Sequence, residues 1–150
     1  MKLNKKVIGF TLIELLVVVA VIGMLLSVIM VNFGNARIRS RDSKRLTDIK
    51  QVKSGLDLYH IHAAGYPDDS TWNSGALICG NTHVMDVPRD PLLFSFYLYT
   101  TQSQVANTGC NGSILWKEYQ VEFTTEATTE LGPPGTYYLT TKGLTTTPAF

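Results

Sequence analysis

The sequence has few of the residues from which catalytic and metal sites are usually built. Two cysteines and three histidines occur in 150 residues, and charged residues make up 17% of the chain. The motifs of serine hydrolases, zinc peptidases, phosphate-binding loops and dinucleotide-binding folds are all absent from the sequence. A net charge of +1 argues against a uniformly basic nucleic-acid binder. We therefore expect a non-enzymatic protein of about one domain.

Proline is absent from the first 66 residues, and charge is nearly absent from a long apolar run within them. The run extends from Phe10 to Val31 and holds one charged residue, Glu14. As a helix it would be about 33 Å long, enough to cross the hydrocarbon core of a membrane. It is longer than the apolar core of a secretory signal peptide, and no small-residue cleavage site follows it. We predict a transmembrane or assembly helix over residues 10–31.

The near-zero net charge hides a strong asymmetry along the chain. Three lysines precede the apolar run. Residues 37–53 carry a net charge of +5, whereas residues 54–150 carry a net charge of −6. The sequence thus predicts a basic stalk followed by an acidic head.

Glu14 is the one feature of the apolar run that an ordinary membrane anchor does not explain. A carboxylate near the centre of a membrane helix costs about 2.5–3.5 kcal/mol on insertion scales, and less near the membrane edge. Residues 5–18, KKVIGFTLIELLVV, combine a basic leader, Gly9, Phe10, Thr11 and Glu14 with unbroken apolar sequence. This segment resembles the N-terminal signature of type IV pilins and type II secretion pseudopilins.

The resemblance implies a structural subunit of a type IV pilus or a type II secretion pseudopilus. A prepilin peptidase would cut after Gly9 and methylate the new amine of Phe10, which Glu14 would neutralise between neighbouring subunits. The implied location is the inner membrane, with a single span and the head outside the cytoplasm, and then the filament. The implied partners are further copies of the chain, minor pilins, the peptidase, the inner-membrane assembly platform and membrane lipid. Two alternatives stay open: an unprocessed membrane-anchored binding module and a DNA-uptake competence pilin.

Residues 32–64 are predicted to continue the helix as an amphipathic segment. Its apolar residues fall largely at spacings of three and four and form one stripe: Ile38, Ile49, Val52, Leu56, Tyr59 and Ala63. Gly65 is expected to end the helix as the C′ glycine, with Pro67 following. The predicted divisions are a leader (1–9), a transmembrane helix (10–31), its amphipathic continuation (32–64) and an extracytoplasmic head (65–150).

Three strands are predicted after the helix, over residues 93–100, 114–125 and 136–141. The first is rich in aromatic residues, and the second alternates polar and apolar residues with a period of two. A three-stranded antiparallel sheet that covers the helix stripe is the economical arrangement, which gives an α+β pilin fold. Residues 66–91 are predicted to form a long loop with little regular structure.

Two loop segments, Gly65-Tyr66-Pro67 and Val87-Pro88-Arg89-Asp90-Pro91, resemble segments of the major pseudopilins. The Trp-Gly that usually follows Asp-Pro in that subgroup is missing here. The subgroup binds calcium in its head, which makes Asp86 and Asp90 candidate calcium ligands. Solvated loop acids are the other interpretation, because no EF-hand spacing occurs.

Cys79 and Cys110 are predicted to form a disulfide, since the anchor would place both outside the cytoplasm. Closing the loop 79–110 would stabilise the fold by about 3–4 kcal/mol in the chain-entropy model. A metal site built from Cys79 and His83 is the alternative, but the histidines lack a compact ligand spacing.

The basic stalk has several potential partners. It could bind DNA phosphates, lie at a membrane surface or pair with the acidic heads of neighbouring copies, and we favour the last. In that case, reversing the charges of Arg39 and Arg41 should impair assembly more than folding.

Overall fold

The computed structural model describes residues 9–150, without the side chains of residues 28–32, 106–108 and 111. The elements in chain order are α1 (Leu12–Ala63), α2 (Asp69–Asn73), β1 (Ala76–Cys79), β2 (Thr82–Asp86), β3 (Leu98–Thr108), a 3₁₀ turn (Cys110–Gly112), β4 (Ile114–Thr125), β5 (Gly135–Thr140) and β6 (Gly143–Thr145). The chain divides into one unit that ends at Arg37 and a head unit, Ile38–Phe150. The predicted leader lies outside the described residues except for Gly9.

In the first unit, α1 carries large apolar side chains that are exposed. The exposed fraction is 80% for Leu12 and 45% for Val18. Among the described residues, none of the helices has both the length and the apolar character needed to cross a membrane. The side chains at the end of the predicted span, residues 28–31, are outside the description.

In the head unit, one face of α1 packs into the core as the apolar stripe predicts. Ile49, Val52, Leu56 and Tyr59 are each at most 1% exposed. They join core residues of the sheet such as Val121. Each large apolar side chain that is fully buried contributes about 1.5–3 kcal/mol, so this face accounts for much of the stability of the head.

The end of α1 differs from the prediction in one residue. Ala64, not Gly65, takes the left-handed conformation, with φ of 59°, and its N–H donates to the carbonyl of His60 at 2.8 Å. Gly65 is needed for a different reason: a Cβ there would lie 2.8 Å from the Cβ of Leu115. The absence of a side chain lets the chain leaving the helix lie directly against β4.

The main sheet is antiparallel with the order β3-β4-β5-β6, four strands where three were predicted. β4 has the predicted bounds and β5 lies one residue from them, while β6 is an added short edge strand. The bounds of the first predicted strand, 93–100, are wrong, because β3 extends from Leu98 to Thr108. The α+β class is confirmed.

The segment predicted as an irregular loop, residues 66–91, contains α2 and the β1–β2 hairpin. Asp68 caps α2 by accepting a hydrogen bond from the N–H of Thr71 at 2.9 Å. The hairpin turns at Gly80-Asn81, where Gly80 has φ of 62°, a conformation that glycine adopts without steric cost. The predicted disulfide is present between Cys79 and Cys110 and joins the end of β1 to the 3₁₀ turn.

Candidate functional site

The start of α1 is a capping box formed by Thr11 and Glu14. The N–H and the hydroxyl of Thr11 donate to Oε2 of Glu14 at 3.0 and 2.7 Å, and the N–H of Glu14 donates to the Thr11 hydroxyl at 3.3 Å. The two side chains thereby satisfy helix-start donors that would otherwise lack partners. The Thr-x-x-Glu spacing in the sequence is the signal that sequence reasoning left unused.

Gly9 and Phe10 directly precede this capping box and are both accessible. The Phe10 side chain is 76% exposed, and a Cβ built at Gly9 would meet nothing within 4 Å. The described geometry therefore places the predicted cleavage bond in an open segment, four residues ahead of the predicted partner carboxylate.

The structure gives the two candidate calcium ligands separate partners. Asp86 is exposed and lies 2.9 Å from Nε2 of His83, whereas Asp90 is only 6% exposed and accepts from Arg45. Within the described part of the chain, no group of three or more histidine, cysteine or acidic residues is arranged to hold a metal ion. Cys79 is committed to the disulfide and is not a thiolate ligand.

Arg45 is the centre of a buried ion cluster in the head. Its guanidinium donates to Asp90 at 2.7 and 3.2 Å, to Asp42 at 2.9 Å and to Glu126 at 2.7 Å. Arg45 and Asp42 are each 1% exposed. Asp42 also accepts from the backbone N–H groups of Glu126 and Ala127. The cluster thus joins α1 to the segment after β2 and to the turn between β4 and β5.

The positions of Asp42 and Arg45 could have been found from spacing alone. They precede Ile49 on the buried stripe at the same alternating steps of three and four that continue through Val52 and Leu56. The predicted stripe contained only apolar residues and therefore did not include them. A charged residue in register with a buried stripe indicates a paired interior group.

The ion cluster shifts the pKa values of its carboxyl groups. Hydrogen bonds from Arg41, and then from Arg45, lower the pKa of Glu126 to about 2 against the opposing effect of desolvation. Burial tends to raise the pKa of Asp90, but hydrogen bonds from Arg45 and two backbone N–H groups lower it overall. Burial raises the pKa of Asp48, whose carboxylate accepts from the Tyr97 hydroxyl at 3.1 Å.

We expect acid to destabilise the head as the pH falls from about 5 to about 2. The folded pKa values of Glu126 and Asp90 lie below their unfolded values, so their stabilisation is present above the unfolded pKa and disappears on protonation. Asp48 acts in the opposite direction and offsets part of the loss. Thermal unfolding between pH 7 and pH 3 measures the slope of the head's stability against pH. Glu126→Gln should be less stable at pH 7 and show a shallower slope, and an unchanged slope would contradict this assignment.

Much of the basic charge of residues 37–53 is used within the head. Arg41 pairs with Glu126, and Lys50 pairs with Glu130 at 2.6 Å. Lys53 pairs with Asp57 at 2.8 Å. The Arg41 guanidinium thus has a partner in its own chain, so a charge reversal at Arg41 would also act on the head of the same chain. Among the described residues, Arg37, Arg39 and Lys44 form no ion pair.

The chain is similar to known proteins in its N-terminal segment and over part of its head. The family model of the prokaryotic N-terminal methylation motif matches residues 4–30. The chain is similar to the type II secretion system core protein G of Vibrio cholerae serotype O1, with 36% identity over 67 residues, 45% of this chain and 46% of that protein. It is 33% identical to the Escherichia coli K12 protein of that name over 75 residues, half of each chain. It is 26% identical to the Dickeya chrysanthemi protein over 118 residues, 71% of this chain and 72% of that protein.

The chain spans about half the length of the first two of these relatives. No solved structure matches it significantly. An N-terminal methylation motif lies at the start of a long helix that is followed by an α+β head. In these features the chain is similar to prepilin-like proteins, and over part of its length it is similar to proteins named type II secretion system core protein G.

Proposed function

We propose that the chain is a structural subunit of a type II secretion pseudopilus or a type IV pilus. A prepilin peptidase cuts after Gly9 and methylates Phe10, and the processed chain packs helix to helix with its own copies and with minor subunits. The match of residues 4–30 to the methylation motif carries the proposal. The similarity to proteins named core protein G supports the secretion pseudopilus as the first choice.

The exposed apolar side chains of α1 fit this role. Side chains such as Leu12 and Met24, 80% and 77% exposed, require lipid or other helices around them. Before assembly, residues 10–31 anchor the subunit in the inner membrane with the head outside the cytoplasm. After assembly, the same side chains pack against the helices of neighbouring copies.

Glu14 has two successive tasks in the proposal. In the single chain it closes the capping box with Thr11. In the filament its carboxylate neutralises the Phe10 amine that cleavage creates on a neighbouring subunit, because an unpaired charge among apolar helices is costly. The charge of Glu14 is needed only for the second task, since a glutamine also closes a capping box.

We expect Glu14→Gln to be processed normally but to lower the amount of chain in filaments about tenfold or more. The measurement is the amount of the chain in the filament fraction sheared from cells that hold the whole assembly system, with processing checked by mass. Thr11→Ala is the matched control, because it removes the cap and leaves the charge, and it should assemble. Normal assembly of Glu14→Gln would contradict the proposed use of the carboxylate.

A further inference from the structure

Three consecutive large apolar side chains lie exposed on the head, in the segment before β3. The exposed fractions are 51% for Leu92, 70% for Leu93 and 74% for Phe94. Single exposed apolar residues are ordinary on protein surfaces, but a contiguous group indicates a contact surface. These three residues, named here the apolar loop, contribute little to the core of their own chain.

The apolar loop is held in a fixed conformation by Asp90. One carboxylate oxygen of Asp90 accepts from the N–H groups of Leu92 and Leu93 at 2.8 and 3.0 Å, and its carbonyl accepts from the N–H of Phe94 at 2.9 Å. Asp90 is in turn bound to Arg45 on α1. The exposure of the loop is therefore maintained by the buried ion cluster and is not a consequence of weak packing.

Phe94 takes a conformation that costs free energy in the isolated chain. Its φ is 55°, in the left-handed region that glycine and asparagine adopt easily and that aromatic residues avoid. A side chain with a Cβ is strained in this region, whereas glycine is not. A ring that is 74% exposed gains little from its own head in return. The benefit of a phenylalanine at this position is expected outside the single chain.

A groove of about 200 Å³ lies beside the apolar loop and contains an acidic group. Leu93, Leu98 and Glu122 are among the residues that line it. Leu98, 59% exposed, is directly paired with Glu122 across β3 and β4. Glu122 forms no ion pair with any residue that the structure describes. The groove suits a cation on an apolar stem, which is the chemistry of an arginine side chain.

The chain itself carries the complementary surface. On α1, Arg39 and Lys44 are exposed and form no ion pair within the described ranges, while their neighbours Arg41 and Arg45 are paired inside the head. A filament of identical copies requires two different surfaces on each subunit that fit one another. An acidic apolar groove and an exposed basic stretch of helix meet that requirement.

We propose that the groove beside the apolar loop binds the α1 stretch 39–44 of a second copy. The Arg39 guanidinium of that copy pairs with the Glu122 carboxylate, and Leu93 and Phe94 cover the apolar part of the arginine side chain. The inference rests on the proposed function, because it assigns one of the contacts between subunits of the filament.

A charge exchange between Glu122 and Arg39 tests the pairing in the full chain, expressed with its assembly system. Glu122→Arg and Arg39→Glu should each lower the amount of chain in sheared filaments about tenfold, and the double variant should recover to within about threefold of the wild type. Lys142→Glu, an equal charge change at another exposed site, should assemble normally. Normal assembly of either single variant, or a double variant that does not recover, overturns the proposal. A loss with Glu122→Arg alone would therefore overturn the pairing with Arg39.

Phe94→Gly tests the apolar loop separately from folding. Glycine removes the ring and relieves the left-handed backbone, so the thermal unfolding midpoint should not fall while filaments decrease about tenfold. If the glycine variant loosens the loop, Phe94→Asn is the second test variant, because asparagine also adopts this conformation readily. Ile61→Ala, at a side chain that is 77% exposed, is the control that should assemble normally. Wild-type amounts of filament with a folded Phe94 variant overturn the proposal.

The contact at the groove and the filament role of the chain are tested by different results. If the wild type forms filaments and the Glu122, Arg39 and Phe94 variants form them in equal amounts, the proposed contact at the groove is overturned and the proposed function is not. A wild-type chain that is never found in filaments would overturn the proposed function and this inference with it.

Discussion

Replacing Arg45 with methionine is expected to lower the free energy of unfolding of the head by about 3–5 kcal/mol. Methionine fills a similar volume, so the loss comes from the charges and not from a cavity. Asp42 and Asp90, 1% and 6% exposed, would keep their carboxylates in the interior without the guanidinium that pairs with both. Removing one partner of a buried ion pair is costly because the remaining charge has neither water nor a partner.

Denaturant unfolding of the full chain in detergent, followed by the fluorescence of its two tryptophans, Trp72 and Trp116, measures this loss. Arg39→Met is the matched control, because that arginine is exposed, and it should change the free energy by no more than about 0.5 kcal/mol. The difference in the free energy of unfolding between wild type and Arg45→Met should narrow at low pH, where Asp90 and Glu126 become protonated. Equal stability of the two methionine variants would show that the ion cluster does not hold the head together.

Replacing Gly9 with leucine is expected to leave the precursor uncut and to reduce assembled filaments to a background level. The introduced leucine side chain has room in the precursor, because a Cβ at Gly9 meets nothing within 4 Å. The effect would therefore arise where the peptidase must accept the bond after residue 9, and folding of the head should be unchanged. Since the helix would then keep its charged leader, its start could not be buried among neighbouring helices.

Immunoblotting for precursor and mature chain, together with the sheared filament fraction, measures this effect. Gly135→Leu provides the control, since a Cβ at that glycine of the head also meets nothing within 4 Å. It should be processed and assembled as the wild type is. Normal cutting of Gly9→Leu would contradict the assignment of the processing site to the bond after Gly9.

The fold could be predicted from the sequence wherever a side-chain period determines it. The stripe through Ile49, Val52 and Leu56 predicts the buried face of α1, and the alternation in residues 114–125 predicts β4. The start of β3 could not be found in this way. The Asp90 carboxylate accepts hydrogen bonds from the backbone N–H groups of Leu92 and Leu93. The chain therefore turns there and does not pair as a strand.

Other features were present in the sequence but were not used. Gly80-Asn81 between two short apolar runs is a hairpin signal, and Thr11-x-x-Glu14 is a capping signal. The ion cluster lies beyond such local rules, because Arg45, Asp90 and Glu126 come together only through the packing of distant segments. The groove at Glu122 was beyond sequence reasoning for the same reason.

Cleavage after Gly9 is tested by the mass of the N-terminal peptide of the chain, purified from cells that hold its assembly system. We expect a mature chain that begins at Phe10 and carries a methyl group on the amine of that residue. A chain that keeps Met1 or any part of residues 1–9 would contradict it.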